Sequence, residues 1–497
     1  MLTLAVILEA LSGVPAEMIQ PAGSSPESPG DPIRALLTRQ FCGGVVDSRQ
    51  AFADSIFIAL PGELADGHEY VIDSFEHGAQ LALIQRELTQ PLPVLDLRQG
   101  ANAEMLRDCL ANLDPRAPFC ILVKDCLAAL QRIAGFWRSK LNVRVIGITG
   151  SVGKSTTKEV IADVLSQRYQ TLKNPGNLNN EIGLPLTLLS LTEEHECAIL
   201  EMGFYVPGEI ALLCELARPH VGVITIVGTV HAARAGSQEA IARGKAELVQ
   251  ALPEAPDGVA VLNYDDPWVR KMANQTRARV FYYGLSPEAN LWADGVEGLG
   301  LDGIRFQLHY RKETLHLRVP LIGRHSVHTV LRAAAVGLIE GLGWQEIVNG
   351  LRSERTQLRL VTVRSQSGAL ILDDTYNASP ESTLAALNLL AELDGRKIAV
   401  LGDMLELGPY ELEGHESVGA RAAEVVDELV TVGELGRMIA NAAWQAGLSK
   451  KAIAVLADSQ QAVDYLINRL SPEDVVLIKG SRGMQMDKIV TALEAHE

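Results

Sequence analysis

The run VIGITGSVGKSTTKE at 145–159 passes from an apolar strand pattern through Gly150-Ser151-Val152-Gly153-Lys154-Ser155 into a helical pattern. That order suits a phosphate. Glycines let backbone N–H groups approach the oxygens, the start of a helix adds partial positive charge, Lys154 bridges terminal phosphates, and the Ser155 hydroxyl can ligate Mg²⁺. The spacing is unusual. The common phosphate loop leaves four residues between its first glycine and the Gly-Lys pair, whereas here Gly147 lies one position too far from Gly153 and Gly150 two positions too close. The alternative is a Gly-rich turn with no ligand, and Gly-Lys-Ser-Thr at a strand-to-helix junction weighs against it.

Other polar residues end apolar runs. Glu201 closes CAILEMG and His231 follows VGVITIVG; at one edge of a parallel sheet, a carboxylate and an imidazole suit a divalent cation. Taken singly, each reads as a hydrogen-bonded loop residue. Lys245 sits among small and apolar residues in EAIARGKAELV, where a solvated surface lysine is the default. NPGNLNNEIGLP (174–185) is rich in amide donors and acceptors, fit for a polar ligand or for an elaborate turn. DDTYNASPES carries a proline-marked helix start with Ser379 as a candidate N-cap, and an aspartate pair that a cap does not need.

The elements that must position these residues are legible from about residue 143. RVIGITG (144–150), CAILEMG (197–203), VGVITIVG (221–228), GVAVLNYDD (258–266) and RVFYYG (279–284) read as buried strands. A second set begins near 369 with ALILDDTY, KIAVLGDM, DELVTVG, AIAVLA and DVVLIKG. Helix-length amphipathic segments such as STTKEVIADVLSQRY separate the strands, the signature of a mostly parallel sheet covered by helices. Open sheets of this kind bind ligands at the carboxyl ends of their strands. That singles out Asp373-Asp374, Gly402-Asp403 and Lys479-Gly480-Ser481-Arg482. Residues 1 to about 140 are less regular, with PAGSSPESPGDP (21–32) expected as a mobile loop and PGELADGHEY as a turn-rich stretch.

A chain of 497 residues exceeds one hydrophobic core, and about three domains are expected. We place them at 1–140, 141–350 and 351–497. The fold class is α/β: a small N-terminal α/β substrate domain, a central phosphate-loop domain with a mostly parallel sheet, and a C-terminal Rossmann-like domain. Lys+Arg 44 against Asp+Glu 61 gives a net charge of −17, which argues against a nucleic-acid or anionic-membrane partner. The six cysteines form no metal-type spacing, so reduced, mostly buried thiols are expected. The apolar N-terminal run lacks a basic flank and is interrupted by Glu9, and no stretch reaches the ~18 apolar residues of a membrane span. A cytoplasmic protein whose first helix belongs to its fold is expected.

Together the motifs resemble the Mur ligase family. VDSRQAFADSIFIALPGELADGHEYVIDSFEHGAQLAL is similar to its uridine-nucleotide-binding domain, and TGSVGKSTTKE to its short loop T-G-[ST]-x-G-K-[ST]. NPGNLNNEIGLPLTLL, LEMGFYVPGEI and GSQEAIARGKAEL resemble its central ATPase domain. DDTYNASPES, VLGDMLELG with His415, and IKGSRGM resemble its C-terminal domain, and DDTYNASPES singles out the branch that adds D-alanyl-D-alanine. The tighter loop is then a family trait.

The resemblance implies an ATP- and Mg²⁺-dependent ligase that joins D-alanyl-D-alanine to the terminal carboxylate of UDP-N-acetylmuramoyl tripeptide through an acyl phosphate. By that resemblance Thr149, Gly150, Ser151, Val152, Gly153, Lys154, Ser155 and Thr156 surround the ATP phosphates, with His325, Arg359 and Asp374 as further ATP contacts. Ser155 and Glu201 hold one Mg²⁺, and His231 helps hold a second. Lys245 matches a lysine often carboxylated by CO₂, which makes it an anion able to support that metal. Catalysis falls to Lys154, Glu201, His231 and Lys245. Ser48 and Arg49 meet the uridine diphosphate, and Asn177, Asn180 and Asn377 are substrate contacts. A monomer is expected.

The pattern departs at Ile226, where the family usually has Asn, and at Leu358, where it usually has Gly before Arg359. It departs again in GRHSVHT, where Ser326 and Thr329 stand for two Asn. A hydroxyl does not reproduce an amide's paired donor and acceptor, so the departures gather at the base-binding end of the nucleotide. Two other readings stay open: a ligase adding a single amino acid to a UDP-muramoyl peptide or glutamate to folate, and a non-catalytic nucleotide-binding paralogue.

Overall fold

The structure is a computed structural model that describes residues 1–19, 31–62, 65–353 and 361–494. Most of the expected Pro/Ser/Gly loop, and Arg359, lie outside the described residues. The chain divides into two compact units, one of residues 1–146, 169–203 and 211–219, the other of 147–168, 204–210 and 220–497.

In the first unit, the apolar start forms the helix Leu4–Ser12, capped by the Thr3 hydroxyl and ended by Gly13 at φ 76°. Five short parallel strands follow, in the order Gly44–Val45, Ile56–Ile58, Leu81–Ile84, Phe119–Leu122, Val94–Asp96. Phe57, Ala82, Ile84, Cys120 and Leu122 are part of one buried cluster. The helix Cys126–Lys140 carries Arg138, buried and donating to the carbonyls of Ala217, Leu141 and Val143. The strand Cys197–Glu201 pairs in parallel with Thr171–Lys173. Beside it, Arg144 donates its N–H to the Glu196 carbonyl and opens the strand Arg144–Thr149.

The second unit takes up that strand at Gly147. Its first sheet continues through Val221–Ile224, Val259–Asn263, Arg279–Gly284 and Leu291–Gly298, all parallel, then Ile304–Tyr310 and Glu313–Val319, antiparallel. The strand expected over 221–228 stops at Ile224. Thr225 donates its N–H to the Thr149 carbonyl, and the residues after it bind the phosphate loop. The antiparallel ribbon over 291–319 is an addition to the sequence reading.

The second sheet runs Val361–Arg364, Leu370–Asp374, Asp474–Lys479, Arg396–Gly402, Glu428–Val432, Ile453–Leu456, with only the first pair antiparallel. Two apolar clusters cover its faces, one including Leu372, Leu401 and Leu477, the other Ile371, Val400 and Ile478. Alternate residues of each strand serve opposite faces, as the period of two requires. No helix among the described residues is long and apolar enough to cross a membrane.

Candidate active site

Two glycines shape the phosphate loop. At Gly150, φ is 149° and a Cβ would collide with the Thr225 side chain; at Gly153, φ is 81°. Gly153 is the N-cap of the helix Lys154–Leu165 and has no side chain to cap it, so no capping side chain of its own stands between the start of that helix and a ligand. The loop is held from behind. Ser151 donates its N–H to the Ile226 carbonyl (2.8 Å) and its Oγ accepts from Gly228 N (2.9 Å). Thr225 Oγ1 donates to the Val152 carbonyl (2.7 Å). Lys154 Nζ lies over the loop, 2.9 Å from the Gly150 carbonyl.

Lys245, on the helix Gln238–Gln250, is 1% exposed, against the surface default for its pattern. Its ammonium lies 4.7 Å from the centroid of the Phe204 ring. Burial, and then the Lys154 charge, hold its amine well below the ordinary lysine value.

His231 sits at φ 69° before the short helix Ala232–Ala235, its ring edge-on to Tyr205 at 4.9 Å. Its Nδ1 is 2.8 Å from Glu406 Oε2. Burial holds the imidazole below its ordinary value, the Glu406 hydrogen bond opposes that, and the Lys154 and Lys245 charges add to it. A carboxylate accepts only, so Nδ1 carries the proton and Nε2 keeps its lone pair for a cation. The structure thus brings Lys154, Lys245 and His231 together.

Glu201 is 2% exposed in the first unit. Its Oε1 accepts from Asn179 Nδ2 (2.9 Å), while the Asn174 amide clasps its backbone N–H (2.9 Å) and carbonyl (3.1 Å). The amide-rich turn therefore orients Glu201 through Asn174 and Asn179, which the sequence reading passed over. Of the two amides it named, Asn177 is exposed, and Asn180 Oδ1 accepts from Gly183 N (2.8 Å) at the start of the helix Gly183–Leu189. Ser48 is buried; Arg49 is exposed and pairs with Asp47 at 2.7 Å.

At the base-binding end, His325 keeps an exposed face while its ring packs on Gly323, where a Cβ would lie 2.6 Å from Cε1. Desolvation, then the charges of His328, Arg332 and Lys479, hold its imidazole down to about 4. The two hydroxyls standing for amides are engaged internally: Ser326 Oγ donates to the Ile322 carbonyl (2.7 Å) and Thr329 Oγ1 accepts from Arg332 Nη2 (2.8 Å). Asp374 pairs with Lys479 Nζ (2.7 Å), which also donates to the Asn377 carbonyl (2.8 Å). Ser379 caps the helix Pro380–Glu392 by accepting from Ser382 N. Sequence reasoning placed Lys479 at a strand end and Glu406 in a motif, yet gave neither a partner.

The segments that carry the phosphate loop, Lys245 and the late acids match known protein families. Residues 148–337 match the Mur ligase middle domain and 358–482 the Mur ligase glutamate ligase domain. The UDP-N-acetylmuramoyl-tripeptide--D-alanyl-D-alanine ligase of Bacillus subtilis is 34% identical over 482 residues, covering 96% of this chain and 97% of that one. That of Synechocystis sp. is 36% identical over 453 residues, 90% and 91% of the two chains. Among solved structures, MurF from Acinetobacter baumannii superposes with a TM-score of 0.76 at 29% identity, over 90% of this chain and 92% of that one. MurF ligase from Thermotoga maritima in complex with ADP gives 0.73 at 27%, over 90% and 96%. Similarity of this extent, across both halves of the loop-bearing unit and the N-terminal region, is that of kinship: the chain belongs to the Mur ligase family.

Proposed function

We propose that the chain is an ATP-dependent ligase that joins D-alanyl-D-alanine to the terminal carboxylate of UDP-N-acetylmuramoyl tripeptide. The observation that carries this reading is full-length similarity to ligases of that name, in a chain that keeps the phosphate loop and buries Lys245 beside Lys154.

A carboxylate is a poor electrophile, so it is activated by taking the terminal phosphoryl group of ATP, with ADP leaving. The dipeptide amine then attacks the acyl phosphate, and phosphate departs as the amide forms. The chain's part is positioning and charge neutralisation. The residues Thr149 to Thr156 cradle the phosphates, and Lys154, which rests on a loop carbonyl, moves onto them. In this reading Ser155 and Glu201 would hold one Mg²⁺, and His231, with Lys245 once carboxylated, would support a second. Among the described residues no group of three or more His, Cys, Asp and Glu holds a metal by itself. One or two protein ligands for each ion suit Mg²⁺, which fills its shell with phosphate oxygens and water. Bound there, it would neutralise charge on the transferring phosphoryl group. Lys245, disposed by burial to lose its proton, adds CO₂ to become a carbamate anion.

Ser48 and Arg49 serve the uridine diphosphate, Asn177, Asn180 and Asn377 the peptide, His325 the adenine side, Asp374 the ribose and Arg359 the ATP phosphates. The boundaries 1–140, 141–350 and 351–497, a monomeric state and a cytoplasmic location belong to the same proposal. The test incubates purified protein with ATP, Mg²⁺ and UDP-N-acetylmuramoyl tripeptide, with either D-alanyl-D-alanine or free amino acids, and follows phosphate and product mass. Turnover with the dipeptide is expected; turnover with a single amino acid alone would sink the reading. Loss of that turnover in Lys154→Ala separates it from a non-catalytic binder.

A further inference from the structure

Arg332 is buried at 4% exposure on the helix Val327–Ile339, yet no carboxylate pairs with it among the described residues. Its Nη2 donates to Thr329 Oγ1 (2.8 Å) and its Nη1 to the Tyr283 hydroxyl (3.3 Å). The guanidinium lies 5.7 Å from the centroid of the Tyr283 ring. Its Nε is shut off from solvent and has no partner.

Taking a guanidinium out of water costs several kcal/mol unless an anion or a full set of acceptors offsets it. Two neutral hydroxyls and one orphaned N–H do not offset it. The acids at the neighbouring strand end are committed elsewhere. Asp265 Oδ2 accepts from His328 Nε2 (2.9 Å) and Leu285 N (2.8 Å), and Asp266 accepts from the backbone of Val227, Trp268 and Val269.

The guanidinium also has a direction. Nη2 lies 3.3 Å from where a Cβ on Gly153 would stand, and Gly153 is the uncapped start of the phosphate-loop helix. The Tyr283 hydroxyl that meets Nη1 is itself bonded to the carbonyls of Ile224 and Thr225, the strand end that holds the loop from behind. A buried guanidinium with an orphaned N–H and the start of the 12-residue phosphate-loop helix therefore meet at one glycine.

We propose that Arg332 is a nucleotide-phosphate-binding residue whose missing anion is the phosphate chain of the bound nucleotide, and that Thr329 serves as its tether. This rests on the reading of the loop as an ATP site. It also gives the hydroxyl at 329 a purpose: where the resemblance leads one to expect an amide reading the base, this chain holds an arginine for the phosphates.

Calorimetry on the full chain with Mg²⁺ tests it, using ADP, inorganic tripolyphosphate and adenosine as separate probes. In Arg332→Met, affinity for ADP and tripolyphosphate falls roughly 10- to 100-fold, the worth of one or two charge-assisted hydrogen bonds, while adenosine binding is unchanged. Arg332→Lys recovers most of the loss, and in turnover the KM for ATP rises with kcat held within about twofold. Parental affinity for ADP in Arg332→Met overturns the proposal. So does a loss as large for adenosine as for ADP, which would move Arg332 to the base pocket or to a purely structural role. Should Arg332→Met fail to fold, Thr329→Val keeps the arginine and removes its tether. Weaker tripolyphosphate binding is then expected, and unchanged binding overturns the idea. A parent protein that binds no ADP would instead fail the functional reading itself.

Discussion

Lys245 is where residue type and position disagree most: a lysine in a small, apolar helical pattern, fully buried against Phe204. Burial that lowers the amine's pKa also favours the neutral nucleophile that the proposed addition of CO₂ requires. Under the proposed function, Lys245→Ala loses turnover by about 10- to 100-fold, the usual effect of removing a group that supports a metal. Acetate or propionate, filling the vacated space with a carboxylate, restores part of it; a variant with parental turnover removes Lys245 from the mechanism. Asp66 presents the opposite case. Desolvation disfavours its charged form, but hydrogen bonds from His68 N, His68 Nδ1 and Arg86 outweigh that and hold the carboxyl well below its usual range. His68 Nε2 accepts in turn from Gln85 N (3.0 Å), so the acid fixes an imidazole that fastens the adjacent strand. A carboxyl with a depressed folded pKa contributes stability above the unfolded value of about 3.9 and loses it as pH falls through the folded one. Asp66→Asn therefore costs about 1 kcal/mol near pH 7, a figure kept small by partial exposure. The cost shrinks as pH drops below about 4, which urea unfolding at several pH values would measure; a cost constant with pH would deny the ionic origin.

The strand, loop and helix around Gly150 depend on a backbone approach that no other residue permits. Gly150→Ala drives a methyl into Thr225 and is expected to cost about 1–3 kcal/mol or more in chemical unfolding, with ADP-induced stabilisation lost. Gly236→Ala is the control. Its φ of 90° is equally left-handed, yet nothing lies within 4 Å of the added Cβ, so only the backbone cost of about 1–2 kcal/mol remains. Equal losses in the two variants would mean that the close approach carries no weight. The strand runs at 144–149, 197–201, 259–263 and 279–284 were legible because buried parallel strands are nearly continuous in apolar residues. The ribbon over 304–319 was passed over although IRFQLHY alternates, because half of each strand faces solvent and the apolar signal is diluted. In the N-terminal region strands of two to four residues are too short for a period to register. The loop, Glu201 and His231 could be named from local pattern, and Lys245 only through the family resemblance. Their partners could not: Asn174 is 27 residues from Glu201 and Glu406 is 175 from His231, separations that no local rule spans.

Those long separations decide how the larger unit works. The segments that match the middle and the glutamate ligase domains, 148–337 and 358–482, meet along the loop that follows Ile224. Thr229 donates its N–H to Glu381 Oε1 (3.1 Å), and Ala233 donates its N–H to the Glu406 carbonyl (3.2 Å). The Glu406 carboxylate takes His231 on one oxygen and Arg234 on the other (3.2 Å). Gly408 packs so close to Ala233 that a Cβ would stand 2.8 Å from its Cα. The orientation of His231 is thus set by an acid from the later segment; under the proposed function, closing the two segments on each other would both aim the imidazole and keep water from the acyl phosphate. Replacing both acids, Glu381→Ala with Glu406→Ala, leaves the Thr229 N–H and the His231 Nδ1–H without acceptors, each a cost of about 1–3 kcal/mol where buried. Calorimetry should then resolve the single unfolding transition of the unit into two, with the first shifted down by roughly 2–4 °C for each kcal/mol lost. ADP together with the substrates, which bridge the segments under the proposed function, should merge the two again. Phosphate release without amide product should increase at the same time, because an acyl phosphate left in water hydrolyses. One unchanged transition with full coupling of ATP use to amide formation would show that these acids fasten nothing, and that closure is driven by the ligands alone.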